Sequence, residues 1–205
     1  MLMVVLILEN PRRGILFGWK APFPRRLALV VKEYHGYLFT WALTYTFWYH
    51  PTEATPGHLL GFFYILLLIW QSALLFHRAH LNRWWKLTLE VLVLPHGALV
   101  AYYQGNRMWP MFAFGFAAMF FLTQMYGLPL RTITRRLLWA SFLVVTLSTY
   151  WWQTGSWQSG LSTMAGELPR IPVLEYGVVF VLFALFAALD RLWWGKSNRA
   201  AETAR

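Results

Sequence analysis

Six apolar stretches, each long enough or nearly long enough to cross a lipid bilayer, dominate this sequence. They cover residues 27–50, 58–77, 87–104, 110–128, 137–152 and 173–194. A hydrocarbon core of ~30 Å needs about 20 apolar residues per helix, and only helices or closed barrels satisfy their backbone hydrogen bonds in lipid. The sequence therefore predicts an all-α fold, a polytopic integral membrane protein built as a bundle of six transmembrane helices.

Composition and turn signals agree with this division. The chain is 58% hydrophobic and 13% charged, whereas soluble domains carry about 25% charged residues. Residues 50–57 contain Pro51, Pro56 and Gly57, which indicate a tight polar loop between the first two stretches. The length of 205 residues leaves room for one bundle and no second domain.

The basic residues predict the orientation in the membrane. With both termini in the cytoplasm, sixteen of the eighteen lysines and arginines lie in the tail or in inner segments, and only Arg107 and Arg170 lie outside. This asymmetry is the positive-inside pattern of a multi-pass protein of the cytoplasmic membrane. The net charge of +10 would also suit nucleic acid, but the bases lie between apolar spans and form no patch on a polar domain. We therefore expect lipid and no nucleic acid as the partner.

The N-terminal segment, residues 1–26, is too short in its apolar part to span a bilayer. It has no basic region before the apolar run and no small-residue cleavage site after it, so no signal peptide is expected. Because residues 11–26 mix bases, aromatic residues and prolines, we expect an amphipathic segment lying on the inner membrane surface. Residues 27–194 form the transmembrane domain, and residues 195–205 form a cytoplasmic tail.

Tryptophan is common and falls near the ends of the predicted spans. Amphipathic rings prefer the membrane–water interface, so these residues predict an aromatic belt rather than a ligand-stacking surface. The tryptophans in question are Trp84, Trp85, Trp109, Trp139, Trp151, Trp152, Trp157, Trp193 and Trp194.

Ionisable residues near the inner ends of the first three spans form the first candidate site. His77 and His80 would lie about 60° apart on a helix, and so both could bind one metal ion. His35 on the first span and Glu90 on the third lie at the same predicted depth. Three imidazoles and a carboxylate suit zinc or non-haem iron, or acid–base chemistry on a lipid headgroup. The alternative is a solvated basic loop in which the histidines bind nothing.

Glu90 and His96 are the candidate catalytic residues. His96 follows Pro95 near the middle of the third span, where an ionisable side chain is costly and often functional. The two residues are about 120° apart on a helix, so they do not form a dyad. His96 either lines a pocket at a proline kink or bonds to a carbonyl of a neighbouring helix.

Polar residues also flank the first outer loop. They are His50, Glu53 and His58, and Glu175 begins the last span nearby. These groups could bind a cation, but a short polar turn explains them equally well.

Known membrane chemistries fit the residues poorly. The six histidines fall short of the histidine boxes of di-iron desaturases, and no two acidic residues are adjacent, as prenyl-processing glutamate proteases need. Haem is the weaker cofactor alternative to a divalent metal, because His50 and His58 are too close together for bis-axial ligation. The absence of cysteine excludes disulfides, thiolate metal sites and cysteine nucleophiles.

These observations leave two classes of function open. We expect a membrane-embedded enzyme or binding protein for a lipid or other hydrophobic small molecule, with a His/Glu cluster at the cytoplasmic face. The alternative is a non-catalytic subunit or scaffold of a larger membrane complex, or a small transporter. A membrane-protein partner or a homo-oligomer fits either class.

Overall fold

Helices make up nearly all of the structure. The computed structural model describes residues 2–49, 54–74, 76–105 and 107–203. In this part of the chain, short 3-10 turns at Arg78–Leu81 and Gln124–Gly127 accompany eight α-helices: α1 (Leu2–Arg13), α2 (Arg25–Tyr49), α3 (Pro56–Ala73), α4 (Arg83–Tyr103), α5 (Trp109–Leu122), α6 (Thr132–Thr154), α7 (Trp157–Glu167) and α8 (Arg170–Thr203). The predicted all-α class is confirmed.

The helix ends follow local sequence signals. Thr55 caps α3 by accepting a hydrogen bond from the His58 amide, with proline at the first helical position. Asn82 caps α4 through the amides of Trp84 and Trp85. At the end of α6, Gly155 takes a left-handed φ of 72°, a conformation that glycine adopts without strain.

Six helices coincide with the six predicted apolar stretches, whereas α1 and α7 were not predicted. By length and composition, two helical stretches of the described residues could cross a membrane, Pro56–Ala73 and Trp157–Leu189. Helix α5 is shorter, since its 14 residues reach only about 21 Å. These findings give weak support for a membrane location, and the six-span bundle stays a prediction.

Several large apolar side chains are exposed on the bundle, and several charged side chains are buried within its otherwise apolar core. Phe76, Trp48 and Trp152 are 99%, 81% and 76% exposed, while Glu9, Arg13 and Glu90 are all at most 8% exposed. Large exposed apolar surfaces are rare on soluble monomers and indicate contact with lipid or another protein. This distribution is the one expected where lipid is the solvent.

Helix α4 lies against α3 on one side and α5 on the other, and α5 packs in turn against α6 and α8. At the contact of α3 with α4, a Cβ atom on Gly57 would lie 2.8 Å from the backbone nitrogen of Val100. On the other side of α5, Phe121 stacks on Phe142 of α6 with ring centroids 4.5 Å apart. Aromatic packing thus holds α6 against α5. The close approach of α3 to α4 depends on the absence of a side chain at Gly57.

The sequence predicts that residues 1–26 lie on the membrane surface, but helix α1 at the start of this segment is buried, whereas Phe17 and Trp19 further along it are exposed. Leu6 and Ile7 of α1 are 0% and 2% exposed, and they pack against Leu27 of α2 and Val179 of α8. Twelve residues can enter the bundle without spanning it, since the neighbouring helices cover their apolar face. An apolar run too short to span a bilayer therefore does not have to lie at the membrane surface.

A tight turn after α1 is held in place by buried hydrogen bonds. Asn10 and Ala21 exchange two bonds, from Asn10 Nδ2 to the Ala21 carbonyl and from the Ala21 amide to Asn10 Oδ1, of 2.8 and 2.9 Å. The carbonyl of Ile15 accepts from the hydroxyls of Thr123 and Tyr176 at 2.9 and 2.7 Å. Thr123, which follows α5, and Tyr176 of α8 therefore hold the turn after α1 in place.

We expect Gly57→Ala to destabilise the protein by about 1–3 kcal/mol, the usual cost of overpacking a tight contact. The added methyl group would meet the backbone of Leu99 and Val100, which cannot rotate away. The measurement is the apparent melting temperature of the detergent-solubilised protein. Gly166→Ala is the matched control, because a Cβ there meets nothing within 4 Å. An equal melting temperature for both variants would contradict the close α3–α4 contact.

Candidate functional site

The histidine pair of the inner loop does not lie on an α-helix. His77 precedes the 3-10 turn Arg78–Leu81, and its Nδ1 accepts a hydrogen bond of 3.1 Å from the Ala79 amide. His80 donates from Nδ1 to the carbonyl of His77 at 2.5 Å. Both rings are thus used to shape the turn, and the helical spacing assumed for them does not apply.

The two histidines on α2 and α4 are bonded to backbone carbonyls. His35 donates from Nδ1 to the carbonyl of Lys32 one turn earlier, at 2.7 Å. His96 donates from Nδ1 to the carbonyl of Gly57 at the start of α3, at 3.0 Å. Of the two interpretations of His96, the structure shows the bond to a neighbouring helix.

The predicted metal ligands His35, His77, His80 and Glu90 are not brought together. Within residues 2–49, 54–74, 76–105 and 107–203, no three His, Asp or Glu side chains are placed to hold a metal ion. The sequence placed these residues at one depth, but depth does not fix the direction in which a side chain points. Of the polar residues at the outer rim, His50 and Glu53 fall outside the described residues.

Glu90 belongs instead to a buried group of charges that joins α1 to α4. This charge cluster consists of Glu9, Arg12, Arg13, Lys86 and Glu90. Arg13 donates from Nη1 to Glu90 Oε2 at 2.8 Å, and their side chains are 2% and 5% exposed. Arg12 and Lys86 both bind Glu9, Arg12 from Nε at 2.5 Å. Arg12 also donates to the carbonyl of Gly127 at 3.0 Å.

The Arg13–Glu90 pair keeps further hydrogen-bonding capacity. Nε and Nη2 of Arg13 and Oε1 of Glu90 are buried, and each has no hydrogen-bond partner among the described residues. Nε–H and the adjacent Nη2–H form the side edge of the guanidinium, which matches the two oxygens of a carboxylate or phosphate. Chemically, the site is therefore a buried cationic fork beside a carboxylate.

Arg12 and Lys86 keep the carboxyl group of Glu9 in its charged form. Burial by itself raises the pKa of Glu9, but the hydrogen bonds and charges of Lys86 and Arg12 together outweigh it. The pKa therefore lies below its ordinary value of 4.5. Glu9 accordingly remains a carboxylate that links α1 to the first turn of α4.

Sequence reasoning identified Glu90 but missed its partners. Glu9, Arg12 and Arg13 are spaced i, i+3 and i+4, which places them on one side of a helix. The sequence nevertheless predicts a position at the lipid surface for the arginines, because this spacing does not show that α1 is buried. The partner of Glu90 is 77 residues away in sequence, beyond the reach of local patterns.

No protein-family model matches the chain, and comparisons with curated proteins and with solved structures give no significant match.

The stability of the protein should fall as the pH drops below about 4.5. A carboxylate whose folded pKa is lowered contributes stability above its unfolded pKa, and loses it as the pH falls through the folded pKa. The measurement is the apparent melting temperature between pH 7 and pH 3. Glu9→Gln should lower the melting temperature at pH 7 and flatten its dependence on pH. Glu33→Gln, at an exposed position on α2, is the control. The same acid slope in both variants would contradict the role of Glu9.

Proposed function

We propose that the chain is a multi-pass protein of the cytoplasmic membrane, with six spans and both termini in the cytoplasm, that binds an anionic amphiphile at the charge cluster. The topology is supported by contacts between segments that the sequence assigns to the same side. On the predicted inner side, α1 reaches Lys86 and Gly127. On the predicted outer side, Gln153 donates to the carbonyl of Arg107 at 2.8 Å.

The side edge of Arg13 is the observation that carries the ligand proposal. A guanidinium in a buried, weakly polar environment pays a large desolvation cost, which is recovered only when its donors are bonded. One nitrogen binds Glu90, and the two on the side edge suit a phosphate or carboxylate. A lipid phosphate and the carboxylate of a hydrophobic acid share this chemistry.

The cluster also connects the interior to the surface. The side chain of Arg12 is 38% exposed, that of Lys86 18%, and that of Arg13 2%. Basic side chains at decreasing exposure provide successive positions for an anion between the surface and Arg13. Their attraction for anionic headgroups is an ordinary property of basic residues at a membrane surface.

Binding is favoured over catalysis by the way the candidate catalytic residues are used. Glu90 is neutralised by Arg13, and His96 is bonded to the carbonyl of Gly57. Neither arrangement leaves these groups placed together for proton transfer. A non-catalytic role in a larger assembly is the second candidate, because α2 exposes an aromatic face that is described below.

The topology is tested by labelling introduced cysteines, since the natural chain has none. Ala54→Cys, exposed before α3, should react with a membrane-impermeant maleimide from outside intact cells. Arg78→Cys, exposed in the inner connection, should react only after the membrane is opened. Labelling of position 54 from the cytoplasmic side alone would contradict the orientation.

Arg13→Lys tests the ligand site, because lysine keeps the charge beside Glu90 and lacks the guanidinium fork. Affinity for phosphatidylglycerol, or for oleate, should fall roughly tenfold or more, since hydrogen bonds to charged groups contribute about 1.5–3 kcal/mol each. The measurement is the rise in melting temperature on titrating each compound into the detergent-solubilised protein.

Phosphatidylglycerol carries a phosphate and oleate a carboxylate, so the compound with the higher affinity shows which group the site prefers. Arg78→Lys is the matched control, as it makes the same change at an exposed position. Phosphatidylcholine, which has no net charge, should stabilise the natural chain less than either acid. If Arg13→Lys binds both acids as well as the natural chain does, the proposed site is wrong.

A further inference from the structure

One face of α2 carries large residues at alternating steps of four and three. Along the helix they are Leu27, Val31, Tyr34, Leu38, Trp41, Tyr45 and Trp48. This spacing, 3.5 residues on average, is the repeat of the a and d positions of a left-handed coiled coil. We refer to these seven residues as the α2 seam.

The protein covers only the first part of the α2 seam. Leu27 and Val31 are 1% and 9% exposed, and they pack against α1 and α8 in the core. The next five residues are between 46% and 81% exposed. The face that packs into the core at the start of α2 therefore continues for more than two further heptads without a covering helix in the described residues.

The exposed part of the seam also contains an open groove. Trp41, Thr44, Tyr45 and Trp48 line a groove of about 240 Å³. Their positions are i, i+3, i+4 and i+7, the four residues that form a hole in knobs-into-holes packing. The groove is open to the surroundings, so a side chain of a partner helix can enter it.

We propose that a second copy of this chain binds the α2 seam, so that two α2 helices pack side by side in parallel. With Trp41 and Trp48 at d, Thr44 at g and Tyr45 at a, the hole is the one that receives an a residue in a parallel, in-register pair. The inserted side chain is then Tyr45 of the second copy. A two-fold axis parallel to the helices brings each seam residue to the same level as its copy, and two-fold dimers are the commonest protein assemblies.

Hydrogen bonding favours a second copy over lipid at this face. The hydroxyl of Tyr34 is a polar group on an exposed side chain of the seam. A tyrosine hydroxyl both donates and accepts, so two copies meeting at equal depth can bond to each other. Acyl chains offer no partner, and in a membrane such bonds between helices are a main source of association. This dimer does not depend on the anionic ligand proposed above.

Disulfide crosslinking in native membranes tests the proposal on the cysteine-free full chain. Single cysteines are placed at the exposed seam positions 34, 38, 41, 45 and 48, and at Lys32 and Thr46 as controls. Both controls are exposed, and they lie about 120–160° around the helix from Tyr34. We expect a disulfide-linked dimer for cysteines at the seam positions and none for cysteines at the two control positions. Equal crosslinking at seam and control positions, or none at any seam position, would overturn the proposal.

A second pair of variants measures association without crosslinking. Tyr45→Glu places a charge in the seam, whereas Thr46→Glu places one at almost the same depth on another side of α2. Size-exclusion chromatography with light scattering should show a shift from dimer to monomer for Tyr45→Glu and a retained dimer for Thr46→Glu. The dimer proposal would also be wrong if the natural chain were monomeric. The same holds if a different protein were bound at the seam.

Discussion

The buried ion pair between Arg13 and Glu90 is the interaction on which the arrangement of the helices depends. Its two side chains are nearly inaccessible, and they join helices that are 77 residues apart in sequence. Removing one partner of such a pair costs about 3–5 kcal/mol, because the other charge is left buried and unpaired. A 12-residue helix such as α1 is marginal by itself, so its position in the bundle follows from this pair and the hydrogen bonds around Ile15.

The charge cluster and the outer surface both agree with the proposed membrane location. Where lipid surrounds a protein, apolar side chains can face outward at little cost, while charges must find partners inside. The interior therefore collects Glu9, Arg13 and Glu90, and the exterior carries tryptophan and phenylalanine. Tyr34 of the α2 seam departs from this rule, because acyl chains offer its hydroxyl group no hydrogen-bond partner.

The spacing of the histidines suggests a metal site, but in the structure their side chains form hydrogen bonds with backbone groups. His77 and His80 shape a 3-10 turn, and His35 bonds to the carbonyl one turn before it. His96 joins α4 to the first turn of α3, where Gly57 lets the two backbones approach. These bonds satisfy polar groups at helix ends and contacts, which is the commonest use of such groups in a folded chain.

The sequence by itself determined the helical class and the positions of six of the helices, because long apolar stretches and strong turn residues such as Pro56 and Gly155 act locally. It also identified Glu90 as a residue that lipid would not tolerate unpaired. Only the tertiary structure decided that α1 enters the bundle, that Arg13 is the partner of Glu90, and that the four predicted metal ligands stay apart. Spacing along a helix fixes which side chains share a face, but the partner across that face is set by packing between distant segments.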